Sequence, residues 1–332
     1  MGMLQAQLLA PRELVLREVP LPSPAPGEVL VKVEVALTCG TDLKTYRRGH
    51  AKLPFGPFGH EGAGEIVAVG EGASHLQAGQ KVTWMPTAPC GTCEMCQRGR
   101  PNLCRNLFEA VVLGAYAEYL LINARVAQVH VFPLEGVSAV RGAFAEPLAC
   151  VIHAWRLLEP IGGKRVAIFG SGTMGYLHLM EAQARGYEVV MVGRRPEKLQ
   201  LAQALGAHTW LLEDPQDAPS ERFDAVIEAT GARAMWELAP RWCMPGGKVL
   251  FYSGLAKDET VCLPAEPLHY DELTLLGSFH LTTADAIQAL ERLKTGGLPV
   301  ERLISGTYPL QQIREVFERL DRGEGMKYAI IP

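Results

Sequence analysis

The sequence predicts an α/β protein in which a doubly wound parallel sheet accompanies a β-rich, barrel-like region. Before about residue 155, short apolar runs are separated by glycine and proline, which is typical of an all-β region. From Trp155 onward, apolar strands alternate with helical segments, the pattern of a parallel sheet covered by helices. The length of 332 residues corresponds to about two domains of ~150 residues each.

Individual elements follow from the same patterns. In the first region we expect strands at Glu28–Ala36, Glu65–Val69, Lys81–Trp84 and Tyr119–Ile122. In the second we expect strands at Arg165–Phe169, Glu188–Val192, Phe223–Glu228, Lys248–Tyr252 and Leu273–Leu276, with a helix at Glu197–Leu205. The C-terminal part adds helices at Ala284–Lys294 and near Gln311–Leu320, then a strand at Lys327–Ile331.

Composition narrows the class of protein. The chain has 32 basic and 36 acidic side chains, a net charge of -4, so no basic excess favours nucleic acid or an anionic membrane. Met1–Pro20 contains charged residues among its apolar ones, and no later stretch of ~18 apolar residues appears. We therefore expect a cytoplasmic protein with a small-molecule substrate and no nucleic-acid or membrane partner.

Four of the eight cysteines form a C-x2-C-x2-C-x7-C run: Cys90, Cys93, Cys96 and Cys104. Four thiolates at this spacing can surround a zinc ion as a tetrahedron, and a site with no open position is structural. The alternatives are an iron–sulfur cluster or two disulfides.

A looser group combines Cys39, after an apolar strand, with His60 and Glu61. One thiolate, one imidazole and one carboxylate leave a metal position open for substrate, as a Lewis-acid site requires. By themselves these residues are also compatible with a small buried cysteine and an ordinary loop histidine.

A glycine-rich turn directly follows the Arg165–Phe169 strand and opens a helix: Gly170, Ser171, Gly172, Thr173, Met174 and Gly175. Its glycines allow the tight turn, the approach of a pyrophosphate to the backbone and the packing of helix on strand. This context predicts dinucleotide binding rather than a simple glycine turn.

The next strand ends at Gly193, Arg194 and Arg195, where an acid that binds the ribose 2′-hydroxyl of NAD is usual. Two guanidinium groups and no acid favour the 2′-phosphate of NADP, with NAD possible. The alternative is that the arginines only solvate a helix that starts at Pro196.

Together these residues resemble the zinc-containing medium-chain dehydrogenase/reductase family, which includes alcohol, polyol, glucose and threonine dehydrogenases. The resemblance covers essentially the whole chain. It implies a GroES-like catalytic domain from residues 1–155 and 279–332, with a structural zinc lobe at 89–105. It places a Rossmann dinucleotide-binding domain at residues 156–278. Two zinc ions per chain and a homotetramer, or a dimer, are implied as well.

The resemblance also implies site residues. Cys39 and His60 bind the catalytic zinc, and Glu61 alternates between binding it and lying just outside its ligands. Glu146 is the remaining ligand, as in polyol and glucose dehydrogenases. The alternative for Glu146 is an ordinary carboxylate at a helix start. By family position, five residues line the nicotinamide: Tyr252, Ser253, Gly254, Ser278 and Phe279.

The implied reaction is hydride transfer between an alcohol, polyol or sugar and NADP or NAD. Thr41 passes the substrate proton toward solvent, and Asp42 orients His60. Lys44 stands where many members have the histidine of the proton relay, so proton exit through Lys44 or Glu61 stays open. His280 and Leu281 replace the Arg-Tyr pair of polyol dehydrogenases, which puts sorbitol in doubt.

Three residues are candidates to face the substrate or, equally, to be packing or surface residues: Tyr46, Phe108 and Glu109. We expect His50, His153 and His269, and the cysteines Cys150, Cys243 and Cys262, to be structural. The rival to an enzyme is a catalytically silent family member that binds nicotinamide without a catalytic zinc; it usually lacks the ligands that are present here.

Overall fold

The computed structural model describes residues 2–214 and 219–332, and these residues divide into two compact units. One unit is formed by Met1–Ala149 together with Leu281–Pro332, and the other by Cys150–His280. The first unit is thus discontinuous in sequence. The predicted combination of a parallel sheet with a β-rich, GroES-like domain is confirmed.

The N-terminal part of the first unit is mainly strands. They are β1 (Gly2–Ala10), β2 (Glu13–Pro20), β3 (Val29–Leu37), β4 (Gly56–Pro57), β5 (Glu61–Val69), β6 (Lys81–Trp84), β7 (Tyr119–Ile122) and β8 (Val131–Pro133). The helices between them are short: α1 (Gly40–Arg48), α2 (Glu94–Gln97), α3 (Ala124–His130) and α4 (Ala139–Gly142).

Helix α5 (Ala145–Leu158) leads into the second unit, whose strands and helices alternate. The strands are β9 (Arg165–Phe169), β10 (Glu188–Gly193), β11 (His208–Leu211), β12 (Phe223–Glu228), β13 (Cys243–Phe251) and β14 (Thr274–Gly277). The helices are α6 (Thr173–Ala184), α7 (Pro196–Ala204), α8 (Arg233–Trp242) and α9 (Ala265–Tyr270).

The chain then returns to the first unit through α10 (Thr283–Lys294), β15 (Ile304–Pro309), α11 (Ile313–Asp321) and β16 (Lys327–Ile331). Helix α10 begins with a capping box in which Thr282 accepts from the backbone of Asp285 and the Asp285 carboxylate accepts from that of Thr282. No helix in residues 2–214 and 219–332 is both long and apolar enough to cross a membrane.

In the second unit the described strands form one parallel sheet in the order β11-β10-β9-β12-β13-β14. The order reverses between β9 and β12, so the chain leaves these two strands on opposite faces of the sheet. Ligands of such sheets bind at this switch point, beyond the carboxyl ends of the strands.

In the first unit, the larger sheet runs β15-β16-β3-β5-β6-β8, and β7 also pairs with β3. The antiparallel pairing of β3 with β5 sets Leu37 opposite Glu61. The segment that follows β3 and the segment that precedes β5 are therefore neighbours. The hairpin β1–β2 was not predicted; Arg17 and Glu18 interrupt the apolar alternation of its second strand.

His178, on α6, is a fully buried histidine. Its side chain lies between Trp155 and Tyr252, with the Tyr252 ring edge-on at a centroid distance of 4.5 Å. Within the described part of the chain, neither ring nitrogen has a hydrogen-bond partner. Burial therefore lowers the pKa of His178 to about 3, and the folded protein holds the imidazole neutral.

We expect His178 to make folding weaken in mild acid. The unfolded chain binds a proton at His178 below about pH 6.5, whereas the folded chain does not, so stability falls as pH drops below that value. The loss is about 1.4 kcal/mol per pH unit down to the folded pKa. As the pH falls from 7 to 5, the melting temperature of the wild type should fall relative to that of His178→Leu. Parallel curves for the two proteins would contradict this assignment.

Candidate metal centres and cofactor site

The four cysteines of the predicted lobe converge. Their sulfur atoms lie within 4.8 Å of one another, and the Sγ atoms of Cys93 are 3.6 Å from Cys96 and 3.8 Å from Cys104. Disulfide sulfurs are about 2.05 Å apart, so the two-disulfide alternative does not hold. A tetrahedron with metal–sulfur bonds of about 2.3 Å has edges of roughly 3.8 Å. The spacing thus fits a single ion and is too small to enclose a multi-iron cluster.

Backbone amides favour the thiolate at two of these cysteines, Cys90 and Cys93, whose pKa values they lower, whereas burial raises the pKa of Cys96. Cys90 accepts from the backbone N–H of Cys93 at 3.4 Å, and the N–H of Cys90 donates to Cys104 at 3.3 Å. The backbone amides of Thr92 and Cys93 lower the pKa of Cys90 to about 6. A thiolate is the form that binds metal, so the lobe favours a cation electrostatically as well as geometrically.

A second group joins Cys39, His60 and Glu61, whose ligand atoms lie within 4.8 Å of one another. Cys39 caps α1, and its sulfur accepts from the backbone N–H of Thr41 at 3.4 Å. His60 and Glu61 stand at the start of β5, which the β3–β5 pairing places beside Cys39. The structure therefore brings together three side chains that are 21 and 22 residues apart in sequence.

His60 is held by a buried chain of hydrogen bonds. Its Nδ1 lies 2.9 Å from Asp42 Oδ1, and the Tyr116 hydroxyl donates to Asp42 Oδ2 at 2.6 Å. Burial lowers the pKa of His60, but the charges of Asp42 and Cys39 outweigh it and raise the pKa well above the usual value. With Nδ1–H directed at Asp42, Nε2 is left to bind a metal.

The Glu61 carboxylate is paired with Lys327, a residue that the sequence did not single out. Lys327 Nζ donates to Glu61 Oε2 and, at 2.7 Å, to the Thr38 carbonyl. Both side chains are fully buried, and within the described residues Glu61 Oε1 has no hydrogen-bond partner. A buried carboxylate that has an unpartnered oxygen and is grouped with a thiol and an imidazole fits a metal site. The one sequence signal was a lysine leading an apolar terminal strand.

Three other residues were predicted for this site: Glu146, Thr41 and Lys44. Glu146 is buried in the first turn of α5 but is not in the group formed by Cys39, His60 and Glu61. Thr41 and Lys44 are exposed on α1.

Of the three substrate candidates, Tyr46 is a core residue, packed against Phe317 at a ring-centroid distance of 5.4 Å. The Phe108 ring lies 5.0 Å from Lys52 Nζ, and Glu109 is exposed, 3.7 Å from Arg125. The packing alternative therefore holds for Tyr46.

In the second unit, the glycine-rich turn has the shape needed for a phosphate. Gly170 has φ +114°, and a Cβ on Gly175 would lie 1.8 Å from the Gly170 carbonyl oxygen. Gly172 caps α6 without a side-chain hydrogen bond, and no atom lies within 4 Å of where its Cβ would be. The N-terminus of α6 thus follows directly beyond β9, where helix N-termini favour anions.

Ser171 and Gly193 pack against each other at this edge. A Cβ on Gly193 would lie 2.9 Å from Ser171 Oγ and 3.1 Å from Leu199 Cδ2, so Gly193 also serves packing. Arg194 and Arg195 are exposed just beyond, and Arg195 caps α7, which starts at Pro196. The position suits either a 2′-phosphate or solvent.

The remaining predicted cofactor residues also follow carboxyl ends of strands. Tyr252, Ser253 and Gly254 follow β13, and Ser278 and Phe279 follow β14. The Ser253 carbonyl accepts from Trp236 Nε1 at 3.0 Å, whereas Ser278 Oγ is buried with no partner among the described residues.

A second missed residue, Glu228, ends β12. Its buried carboxylate accepts from the backbone N–H of Thr230 at 2.7 Å and of Gly231 at 3.1 Å. Burial raises its pKa, against these hydrogen bonds. Glu228 thus fixes the turn that packs against Gly170, where a Cβ would lie 3.0 Å from Thr230.

Comparison with known proteins finds two family matches along the chain. The profile of the alcohol dehydrogenase GroES-like domain matches residues 25–133, and that of zinc-binding dehydrogenases matches residues 173–295. A sorbitol dehydrogenase of Bombyx mori is 31% identical over 98% of this chain and 97% of its own length. The chain belongs to the zinc-containing medium-chain dehydrogenase family.

This dehydrogenase has further relatives of nearly full length. The D-altritol 5-dehydrogenase of Agrobacterium fabrum is 31% identical, with 92% of each chain covered. A zinc-binding dehydrogenase from Sinorhizobium meliloti, solved with NADP bound, superposes with a TM-score of 0.90 at 30% identity and full coverage of both chains. Alcohol dehydrogenase TADH from Thermus sp. ATN1 gives 0.86 at 30% identity, with 99% of each covered. This dehydrogenase is therefore a zinc-dependent enzyme acting on CH–OH groups of donors.

The hydrogen-bond chain behind His60 leads to a test. Asp42→Asn replaces a charged acceptor with a neutral amide, so the imidazole is less basic and less firmly oriented. We expect metal affinity at the Cys39–His60 site to fall about 10- to 100-fold. Competition with a chelator measures it, and Asp321→Asn, which removes a surface ion pair with Arg47, is the control. Equal affinities in both variants would show that Asp42 does not position His60.

Proposed function

We propose that this dehydrogenase carries two zinc ions and oxidises a secondary alcohol, polyol or sugar with NADP, or with NAD as the weaker cofactor. The observation that supports this most directly is the convergence of Cys39, His60 and Glu61, in which one carboxylate oxygen has no hydrogen-bond partner among the described residues. Cys39, His60 and Glu61 hold the catalytic ion, with Glu146 as the further ligand. The four lobe cysteines hold the structural ion.

When bound, a zinc ion at Cys39, His60 and Glu61 supplies Lewis-acid chemistry that lowers the pKa of the substrate hydroxyl. Side chains of the protein orient the site and move the proton. Asp42 keeps His60 in the tautomer whose Nε2 points into the site. Thr41, exposed on the first turn of α1, takes the hydroxyl proton toward solvent, and Lys44, exposed one turn later, assists its exit.

The cofactor binds at the carboxyl edge of the parallel sheet. The N-terminus of α6 at Gly172 takes the pyrophosphate, and Arg194 and Arg195 take the 2′-phosphate. The Sinorhizobium meliloti neighbour with bound NADP supports this cofactor.

The substrate class is drawn from the relatives, which are named as dehydrogenases of sorbitol, D-altritol and L-galactonate. They share a secondary alcohol on a polyhydroxylated chain. His280 and Leu281 in place of the Arg-Tyr pair favour a polyol or sugar derivative other than sorbitol. A panel of polyols, sugars, 2,3-diols, threonine and simple alcohols, followed by nicotinamide absorbance, tests this.

We also propose that the protein is cytoplasmic and forms a homotetramer, or a dimer. Light scattering on the purified protein tests the oligomeric state. The catalytically silent alternative predicts one zinc per chain, bound by the lobe alone. A metal count of about two favours the enzyme, and a count of one favours the silent member.

Replacement of the catalytic thiolate separates the two metal sites. Cys39→Ser should abolish turnover and lower the zinc count from about two per chain to one, while the melting temperature stays near that of the wild type. Cys262→Ser, at an exposed cysteine, should change neither activity nor zinc content. If Cys39→Ser keeps both zinc ions and its activity, Cys39 is not a ligand.

Cofactor choice rests on the two arginines. Replacing Arg194 and Arg195 with Ala removes charge-assisted contacts worth about 1.5–3 kcal/mol each, so kcat/KM for NADP should fall about a hundredfold or more and that for NAD should hardly change. Arg241→Ala, at an exposed arginine on α8, is the control. A wild-type enzyme that clearly prefers NAD would mean that both arginines are only surface charge.

A further inference from the structure

The terminal strand β16 places a buried cation behind the Cys39–His60–Glu61 site. Lys327 is 1% exposed, and its Nζ is held by three groups: Glu61 Oε2, the Thr38 carbonyl at 2.7 Å, and the face of the Phe144 ring, 5.6 Å from its centroid. Such a fully buried lysine is rare unless it is paired.

Backbone pairing fixes this lysine in place. The Thr38 N–H donates to the Tyr328 carbonyl at 3.0 Å, and the Tyr328 N–H donates to Thr38 Oγ1 at 2.9 Å. β16 then continues antiparallel to β3, with Ala329 opposite Leu37. Lys327 is therefore anchored next to the residue that precedes Cys39, and its charge cannot swing away to solvent.

The Glu61 carboxylate consequently has two different sides. Oε2 accepts from Lys327, whereas Oε1 has no hydrogen-bond partner among the described residues, and the Glu61 carboxylate belongs to the group that includes Cys39 and His60. When that group holds a divalent ion, one carboxylate lies between two cations. A fixed positive charge this close weakens the attraction between Glu61 and the metal, because both charges act through a poorly polarisable interior.

We propose that Lys327 is a positioning residue that competes with the bound metal for Glu61 and so keeps Glu61 from closing the coordination position that substrate needs. This inference rests on the proposed catalytic zinc. It assigns to the last strand of the chain a role in metal exchange, which packing alone does not require. The same competition makes Glu61 a ligand that can be released.

Removal of the charge tests the proposal. Lys327→Met keeps a long apolar side chain but no cation, and Lys327→Gln keeps hydrogen-bond donors without the charge. In both, release of zinc from the Cys39 site to a chelator should slow about tenfold or more. Turnover should fall as well, whereas KM for NADP stays unchanged. Lys327→Arg retains the charge, so its rate of zinc release should remain within about twofold of that of the wild type.

The four-cysteine lobe is an internal reference in the same experiment. Zinc bound by Cys90 and its partners should leave at the wild-type rate in every variant. In a Glu61→Gln background there is no carboxylate to compete for, so Lys327→Met should no longer slow release. This second comparison keeps the test meaningful even where Lys327→Met lowers the melting temperature.

Two outcomes overturn the proposal. One is release from the Cys39 site that is unchanged or faster in Lys327→Gln and Lys327→Met; the other is slowing that persists in the Glu61→Gln background. A wild-type protein that holds only the lobe zinc would instead refute the proposed function. The two failures are therefore distinguishable.

Discussion

The antiparallel pairing of β3 with β5 is the constraint on which the candidate catalytic site depends. Its register sets Leu37 opposite Glu61, so the residues just beyond one strand and just before the other must meet. Cys39 and His60 come together for that reason and not through any local turn. Because side chains on a strand alternate between faces, a slip of one residue would turn Glu61 away from Cys39.

Around that junction, buried charges are arranged in partnered sets. Asp42 joins His60 to Tyr116, and Glu61 is joined to Lys327. Isolated charges at this depth would cost several kcal/mol each, so each is tolerable only with its partner. Oε1 of Glu61 is the exception, since it has no hydrogen-bond partner among the described residues, and its carboxylate belongs to a donor set that suits a cation. Site chemistry and folding energetics are thus coupled at the same few residues.

The second unit follows a different principle, in which helix and sheet geometry alone create the binding edge. Gly170 and Gly175 let α6 start directly above β9, and Glu228 holds the neighbouring turn after β12. The strand order reverses between these two strands, which opens the crevice where a dinucleotide binds. Arg194 and Arg195 add exposed positive charge just beyond β10.

The sequence by itself determined the fold class, most strand positions, the cysteine lobe and the glycine-rich turn. Each of these is local: the four lobe cysteines span fifteen residues, and strands such as Lys81–Trp84 and Phe223–Glu228 carry their own apolar signal. Only the tertiary structure decided that Tyr46 is a core residue and that Tyr116 and Lys327 support the site. Lys327 and Glu61 are 266 residues apart. Sequence patterns report what short-range sterics and hydrophobic periodicity dictate, whereas such a contact depends on the register and order of strands from both ends of the chain.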